Sequence, residues 1–501
     1  VHRPPTAETE VAEELAAVRP GLVAGYTAAL PGARAAVLSR LWRALAHEPL
    51  PWIAGREAAA GELVLRLRDG RRLSGPPADP YRTGSPVTAV RCAGREYGDP
   101  ARLMTALAVP GAESFAGELG HSVASLALSR AGRGAPAPEW PGNGWEWEQR
   151  VVDGHPFHPG CRSRPGFSVA EQLAYAPEHG PVVTLRRVAV PAGECLVSGD
   201  WPAALRDAGR LLLPVHPWQA AHVLKGADED GGPGLDAHPL MSLRTLAVPG
   251  GPHVKTALSA RLTSSVRDIS VASVAASATL SAFGEGLAAR CEGLLHITRT
   301  LAAASAHSPD LAAVLRESPD RYGADGERVV PVAALATTTL PGSAGWTARF
   351  ARLALRVGLR LLELGVALEA HGQNLLVVLS AAGEPVRLVY RDLADLRISP
   401  ARLARHGVPV PGLPDRMVTD DVAVLRRKLF GSLVAGALAQ TAGSGPALRD
   451  ALAAAVRELP RTPDLVALCE EPLPAKALTL MRLAPKGSGD RWARLPNPLR
   501  P

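Results

Sequence analysis

Paired cysteines are missing. The five present, Cys92, Cys161, Cys195, Cys291 and Cys469, stand far apart, and none forms a Cys-x-x-Cys pair. That argues against a cysteine-held cluster and, the number being odd, against a disulfide framework, so a reducing cytoplasmic setting is expected. Aromatics are scarce, at 4%. They do not interleave with basic residues, and no block of five consecutive basic residues occurs. Nucleic-acid binding is therefore not expected, and the formal charge of +7, spread along the chain, suits small anionic ligands better. No long hydrophobic run occurs either. The most apolar stretch, Val271 to Phe283, carries Ser273, Ser277, Thr279 and Ser281, and is too short and too hydroxylated to span a bilayer. The opening "VHRPPTAETE" lacks the apolar core of a signal peptide. No G-x-G-x-x-G, H-E-x-x-H or G-x-S-x-G motif appears, and no internal repeat.

What is there is a chain of 501 residues with 47% hydrophobic and 21% charged side chains, enough for two to four domains with their own cores. An α+β protein is expected. Residues 1–145 read as mostly helical, from the apolar spacing of "TAETEVAEELAAV" and "ARAAVLSRLWRALAHE", with a hairpin signal at the Asp-Gly of "ELVLRLRDGRRLSG". The loop "AGRGAPAPEWPGNGWEWE" marks a boundary. Residues 146–300 hold short strand-like runs, "VVTLRRVAV", "RLLLPVHPW" and "HVKTALSARLTSSVR". From 301 to 501 helices are expected to return, with one from Trp346 to Leu368 whose Arg349, Arg352, Arg356 and Arg360 form a solvated stripe.

Three stretches concentrate polar chemistry. In "LEAHGQNLLVVL", Glu369, His371, Gln373 and Asn374 precede an apolar strand, and "AAGEP" and "VRLVYRDL" complete a hairpin. Pairing Ser380 with Val386 sets Leu375 against Arg391 and Asn374 against Asp392. Glu369, Gln373, Asn374 and Asp392 would then offer hard oxygen ligands suited to Mg²⁺; an ordinary cap followed by a hairpin is the bland alternative. In "GHPFHPGCRSRPGF", prolines hold His155 and His158 in extended loop, beside Arg162 and Arg164, whose forks match phosphate or carboxylate. Zinc-like spacing of further ligands is lacking. In "MSLRTL…GPHVKTALSARLTSSVR", Ser242, Arg244, Thr245, Lys255, Thr263, Ser264, Ser265 and Arg267 supply hydroxyl and cationic donors for a triphosphate. "GGPHVKT" is not a P-loop, because Lys255 follows valine and leads into a strand.

Together with "LPVHPWQ" and "PAKALTLMRL…LPNPL", these stretches resemble, in order, the NRPS-independent siderophore synthetases of the IucA/IucC family over about two thirds of the chain. One departure is Arg162, where the family commonly has lysine. The resemblance implies a cupped-hand architecture with thumb (1–145), fingers (146–300) and palm (301–501). It implies ATP-dependent condensation of a polycarboxylic acid, citrate or a citrate derivative, with an amine or alcohol, through an acyl adenylate. It assigns ATP to one or both of His155 and His158, and to Arg164, Ser242, Arg244, Thr245, Lys255, Thr263, Ser264 and Arg267. Mg²⁺ would go to Glu369, Gln373, Asn374 and Asp392, and the acid to His371 and Arg267. His371, Arg267 and Lys255 would be catalytic. Homodimers are compatible with the family. A kinase-like phosphotransferase using the same Mg²⁺–ATP site is the alternative, distinguished by release of ADP instead of AMP and pyrophosphate.

Overall fold

The computed structural model describes residues 6–59, 61–84, 86–133, 140–226, 232–262, 265–484 and 489–500. Part of the Gly/Pro-rich boundary loop, and Thr263 and Ser264, lie outside them. The helical spacing at the N-terminus becomes helices Ala7–Val18 and Val23–His47, which pack with Ala112–Ala131. Leu15, Tyr26, Leu38, Trp42, Phe115 and Leu119 are buried among them. The Asp69-Gly70 turn joins Glu62–Leu67 to Arg72–Gly75 within a five-stranded antiparallel sheet.

A nine-stranded sheet follows. Its middle strands Leu311–Arg316, His253–Thr256, Thr245–Ala247, Leu235–Pro239 and Val183–Pro191 lie side by side. Here one expectation is corrected. Helices do not return at 300: "TLAAASAHS" and "LAAVLR" form the antiparallel strands Thr300–Ser308 and Leu311–Arg316 of this sheet, so the sheet crosses the expected boundary. Alanine favours helices locally, but Ala302, Ala303, Ala304, Ala312 and Ala313 are buried in the sheet, where their small side chains fit and packing overrides propensity.

The third unit is a four-stranded sheet, ordered Leu295–Ile297, Pro385–Tyr390, Leu375–Leu379 and Arg328–Pro331. Helix Ala344–Leu364 packs on it, burying Phe350, Ala354, Leu355, Leu361 and Leu362. Its arginines lie on the solvated face as expected: Arg349, Arg352, Arg356 and Arg360 pair with Glu384, Glu458, Glu292 and Glu363. The helix stops at Gly365, whose φ of 100° suits glycine and where a Cβ would sit 2.7 Å from the Arg402 side chain. The chain therefore turns sharply into Val366–Ala367 and delivers Glu369 and His371 beside the sheet. Val271 to Phe283 falls in two short helices, Val271–Ala275 and Ser277–Ala288, and among the described residues no helix is long and apolar enough to cross a membrane.

The N-terminal helices are tied to the C-terminal segment by Glu48. Its buried carboxylate accepts from the amides of Thr479 (3.1 Å) and Leu480 (2.7 Å), capping helix Leu478–Leu483. Burial raises its pKa from 4.5 to about 7, against the pull of those amides and of Arg43, while Arg56 bonds its main-chain oxygen. A carboxyl raised on folding gives stability that is full below the unfolded pKa and is lost as pH rises through the folded one. Between pH 4.5 and 7 this group therefore takes away roughly 3 kcal/mol. Thermal melts across that window should show a flatter decline in Glu48→Gln than in the wild type; parallel slopes would contradict it.

Candidate active site

One local device recurs along the chain. The Nδ1 of His155 accepts from the amide of Phe157 (3.2 Å), that of His158 from Gly160 (2.9 Å), that of His216 from Trp218 (3.1 Å) and that of His371 from Gln373 (3.2 Å). Each ring thus closes a tight turn on the amide two residues on, and in the first three cases a proline stiffens the turn. With Nδ1 accepting, the neutral ring carries its proton on Nε2. Burial, together with Arg482, Arg40 and Arg267, lowers His158 to about 3, and burial also lowers His371. Both are therefore neutral donors. The buried Nε2 of His158 has no partner among the described residues and lines the main cavity with His155 and His371. His216 sits in the core, against Tyr175.

The loop carrying the first two histidines is held from behind. Arg40 donates to the carbonyls of Asp153 and His155 (3.0 Å each), and Arg43 lies over the Phe157 ring at 4.3 Å. Arg162 donates to the carbonyls of Val151 and Val152, and Arg164 lies 2.8 Å from the buried Glu178, whose carboxyl these two guanidiniums keep low against burial. Arg162 therefore builds the loop. Arg164 reaches the cavity with its charge already paired.

The cavity, of about 530 Å³, gathers residues from all three stretches: His155, His158 and Arg164; Ser242, Arg244, Thr245, Lys255 and Arg267; Glu369, His371, Gln373, Asn374 and Asp392. Ser242 accepts from the Thr245 amide (3.1 Å) in a turn that sets Arg244 into place, and Thr245 pairs with Lys255 across two strands. Arg244 donates to the carbonyls of Arg267 (2.7 Å) and Asp268 (2.5 Å). Neither Arg244 nor Arg267 has a carboxylate within ion-pair distance among the described residues. Burial lowers Arg244 to about 10, which leaves it charged. Two cations thus face the cavity without counter-ions, as an anionic ligand requires.

The hairpin register needs correction. Leu375 pairs with Tyr390, not Arg391, and Asn374 lies opposite Arg391, whose amide donates to its carbonyl (3.0 Å). The turn closes between Ser380 and Glu384, with Gly383 at φ 80°, and a bulge near Val386 shifts the ladder by one residue. Asp392 nevertheless reaches the cleft. It stands beyond the strand at φ 72°, an uncommon conformation for a non-glycine residue, held by Lys255 (2.7 Å) and Arg316 (3.0 Å). Burial opposes its ionisation, but these two cations outweigh that and hold its pKa well below the carboxylate range; burial pulls Lys255 down to about 7.

Glu369 is similarly enclosed by Lys476 (3.0 Å) and Lys428 (3.2 Å), which keep it ionised against burial. Glu369, Gln373, Asn374 and Asp392 are all oxygen donors lining one cavity. Among the described residues no three His, Cys, Asp or Glu side chains form a metal cage. Oxygen donors of this kind are the type Mg²⁺ takes, with one or two carboxylates and water and phosphate oxygens completing its octahedron; here each carboxylate also has two cationic partners. Four residues of the site escaped sequence reasoning: Arg316, Lys428 and Lys476, and the buried Glu148. Glu148 bonds Arg391 (2.6 Å) and the Met241 amide (2.9 Å), and so links the Ser242 turn to the hairpin. Lys476 lies in the "PAKAL" stretch and Glu148 closes the boundary loop; Arg316 and Lys428 carry no local signal of a site.

The profile described as the IucA / IucC family matches residues 144–337, and that described as ferric iron reductase FhuF-like transporter matches 344–491. Among curated proteins, the citryl-spermidine/3,4-dihydroxybenzoyl-citryl-spermidine:spermidine ligase of Bacillus anthracis is 25% identical over 49% of this chain and 50% of its own. The N(2)-citryl-N(6)-acetyl-N(6)-hydroxylysine synthase of Vibrio mimicus is 34% identical over 25% of this chain and 26% of its own. The chain spans about half or less of the length of these two relatives. Among solved structures, the petrobactin biosynthesis protein AsbB of B. anthracis superposes with a TM-score of 0.78 at 19% identity, covering 95% of this chain and 98% of its own. ATP-bound aerobactin synthetase IucA of Klebsiella pneumoniae gives 0.73 at 20%, over 93% and 99%. These likenesses establish the fold.

Proposed function

We propose that this chain, whose residues 144–337 match the IucA / IucC family model, is a ligase that activates a carboxylate of a polycarboxylic acid with ATP and joins it to an amine or alcohol. One observation carries the reading: unpaired guanidiniums, neutral Nε2–H donors and a carboxylate–amide cluster meet in a single cavity. A carboxylate does not acylate an amine at neutral pH, because oxide would have to leave. Attack of a carboxylate oxygen on the α-phosphorus forms an acyl–phosphate bond and expels pyrophosphate. Attack of the nucleophile on the acyl carbon then breaks that bond, loses a proton and releases AMP.

In this reading Ser242, Arg244, Thr245 and Lys255 grip the phosphates and offset the charge that grows on pyrophosphate. His155 and His158 donate Nε2–H from the facing loop, with Arg164 behind them. Arg267 and His371 hold the acid; His371 donates to one carboxylate and orients the attacking oxygen. Glu369, Gln373, Asn374 and Asp392 would hold Mg²⁺, which when bound would neutralise phosphate charge. The names of the relatives support the citrate class of acid. Residues 344–491 hold a single cysteine, Cys469, so an iron–sulfur reductase reading finds no thiolate set there. Purified protein with Mg²⁺, ATP, citrate and hydroxylamine should form a hydroxamate. A panel of polycarboxylic acids that yields none, with ATP consumed, would refute the acyl-transfer reading.

A further inference from the structure

A second chamber, of about 180 Å³, adjoins the main cavity across a shared wall of Arg244, Lys255, Thr298, Arg316 and Asp392. The roles proposed above leave its far side unused. Its charge balance is uneven. Asp392 is committed to Lys255 and Arg316. Arg244 meets only main-chain oxygens. Arg416, exposed on the 3-10 turn Asp415–Met417, has no carboxylate or hydrogen-bond partner among the described residues. Asp268, also exposed, is the other carboxylate in the lining. A second observation lies deeper. Thr298 is 5% exposed, yet its hydroxyl has no partner among the described residues. A buried hydroxyl left unmatched costs stability unless a ligand satisfies it. The apolar lining from Ile269, Leu280, Val314 and Met417 lowers the local dielectric and strengthens any charge pairing there.

We propose that this chamber is an oxyanion subsite, with Arg416 and the Thr298 hydroxyl as donors, for an anionic group on a reactant other than the acid being activated. Two sources share that chemistry: the carboxylate of an amino-acid-type amine, and the departing pyrophosphate. Both would stand beside the Lys255–Asp392–Arg316 wall, next to the phosphates. The inference rests on the ligase reading, and hydroxamate formation by the wild type tests that reading separately.

The test uses the whole chain as wild type, Arg416→Gln, Arg416→Lys and Thr298→Val, with melts to confirm folding. One arm compares kcat/KM for lysine against 1,5-diaminopentane and for 2,3-diaminopropionate against 1,2-diaminoethane. The other measures inhibition of hydroxamate formation by pyrophosphate. An amine source predicts that the preference for the carboxylate-bearing partner falls about tenfold in Arg416→Gln, with recovery in Arg416→Lys and a smaller fall in Thr298→Val. A pyrophosphate source predicts inhibition weakened by about the same factor. Unchanged preference together with unchanged inhibition overturns the proposal. So does an effect confined to the KM for ATP, which would give the chamber to the nucleotide.

Discussion

Replacing Asp392 with alanine is expected to lower kcat/KM for ATP by about a hundred- to thousandfold and to erase the dependence of turnover on magnesium. Among the described residues, this carboxylate is the only one bonded to Lys255 and Arg316. Its loss leaves two buried cations, with Arg244 nearby, repelling one another where the proposed reading puts the phosphates. Breaking such a pair by removing one partner costs about 3–5 kcal/mol. Part of that cost falls on folding, so the melting temperature should drop and should recover when ATP supplies the missing negative charge. Asp392→Asn keeps an acceptor for Lys255 without the charge and should fall between the two. Kinetics titrated separately in ATP and Mg²⁺ decide the matter: near-wild-type magnesium dependence in Asp392→Ala would remove this residue from the metal site.

His371→Ala should behave differently. The imidazole is neutral, fixed by the Gln373 amide, and presents Nε2–H in the cavity that Glu369 and Asp392 also line. Imidazole is a poor ligand for Mg²⁺, which prefers oxygen. In the proposed reading its task is to donate to the acid. A donor to a charged group is worth about 1.5–3 kcal/mol, so roughly a ten- to hundredfold loss in kcat/KM for the acid is expected. ATP affinity, followed by calorimetry without acid, should stay within about twofold. A His371→Ala protein that loses ATP binding as severely as Asp392→Ala, with unchanged acid affinity, would contradict this division of labour.

Much of the architecture could be read from pattern alone. The later part of helix Val23–His47 carries helical apolar spacing, strand Val183–Pro191 alternates in part, and Arg210–Val215 and Leu375–Leu379 are short apolar runs. The register of the hairpin that Leu375–Leu379 forms with Pro385–Tyr390 could not be read, because one bulged residue moves every partner while a continuous apolar run such as LLVVL looks the same in either register. The strands Thr300–Ser308 and Leu311–Arg316 hid behind alanine, whose local preference opposes the burial that decides them. The cavity shows the same split. His155, His158, Lys255, Arg267, Glu369, His371 and Asp392 lie in short polar clusters that stand out against their neighbours, and all line it. Arg316 is a lone cation in an apolar strand, Lys428 ends the basic run Arg426–Lys428 on a helix, and Lys476 sits in a short strand. Only the folded chain brings them against Asp392 and Glu369, 76, 59 and 107 residues away.

The nucleotide product tests the central claim most directly. With Mg²⁺, ATP, citrate and an accepted amine, anion-exchange separation should show AMP and pyrophosphate appearing in step with the amide. ADP and phosphate in step with product would contradict it, and would assign the same cavity to a phosphotransferase.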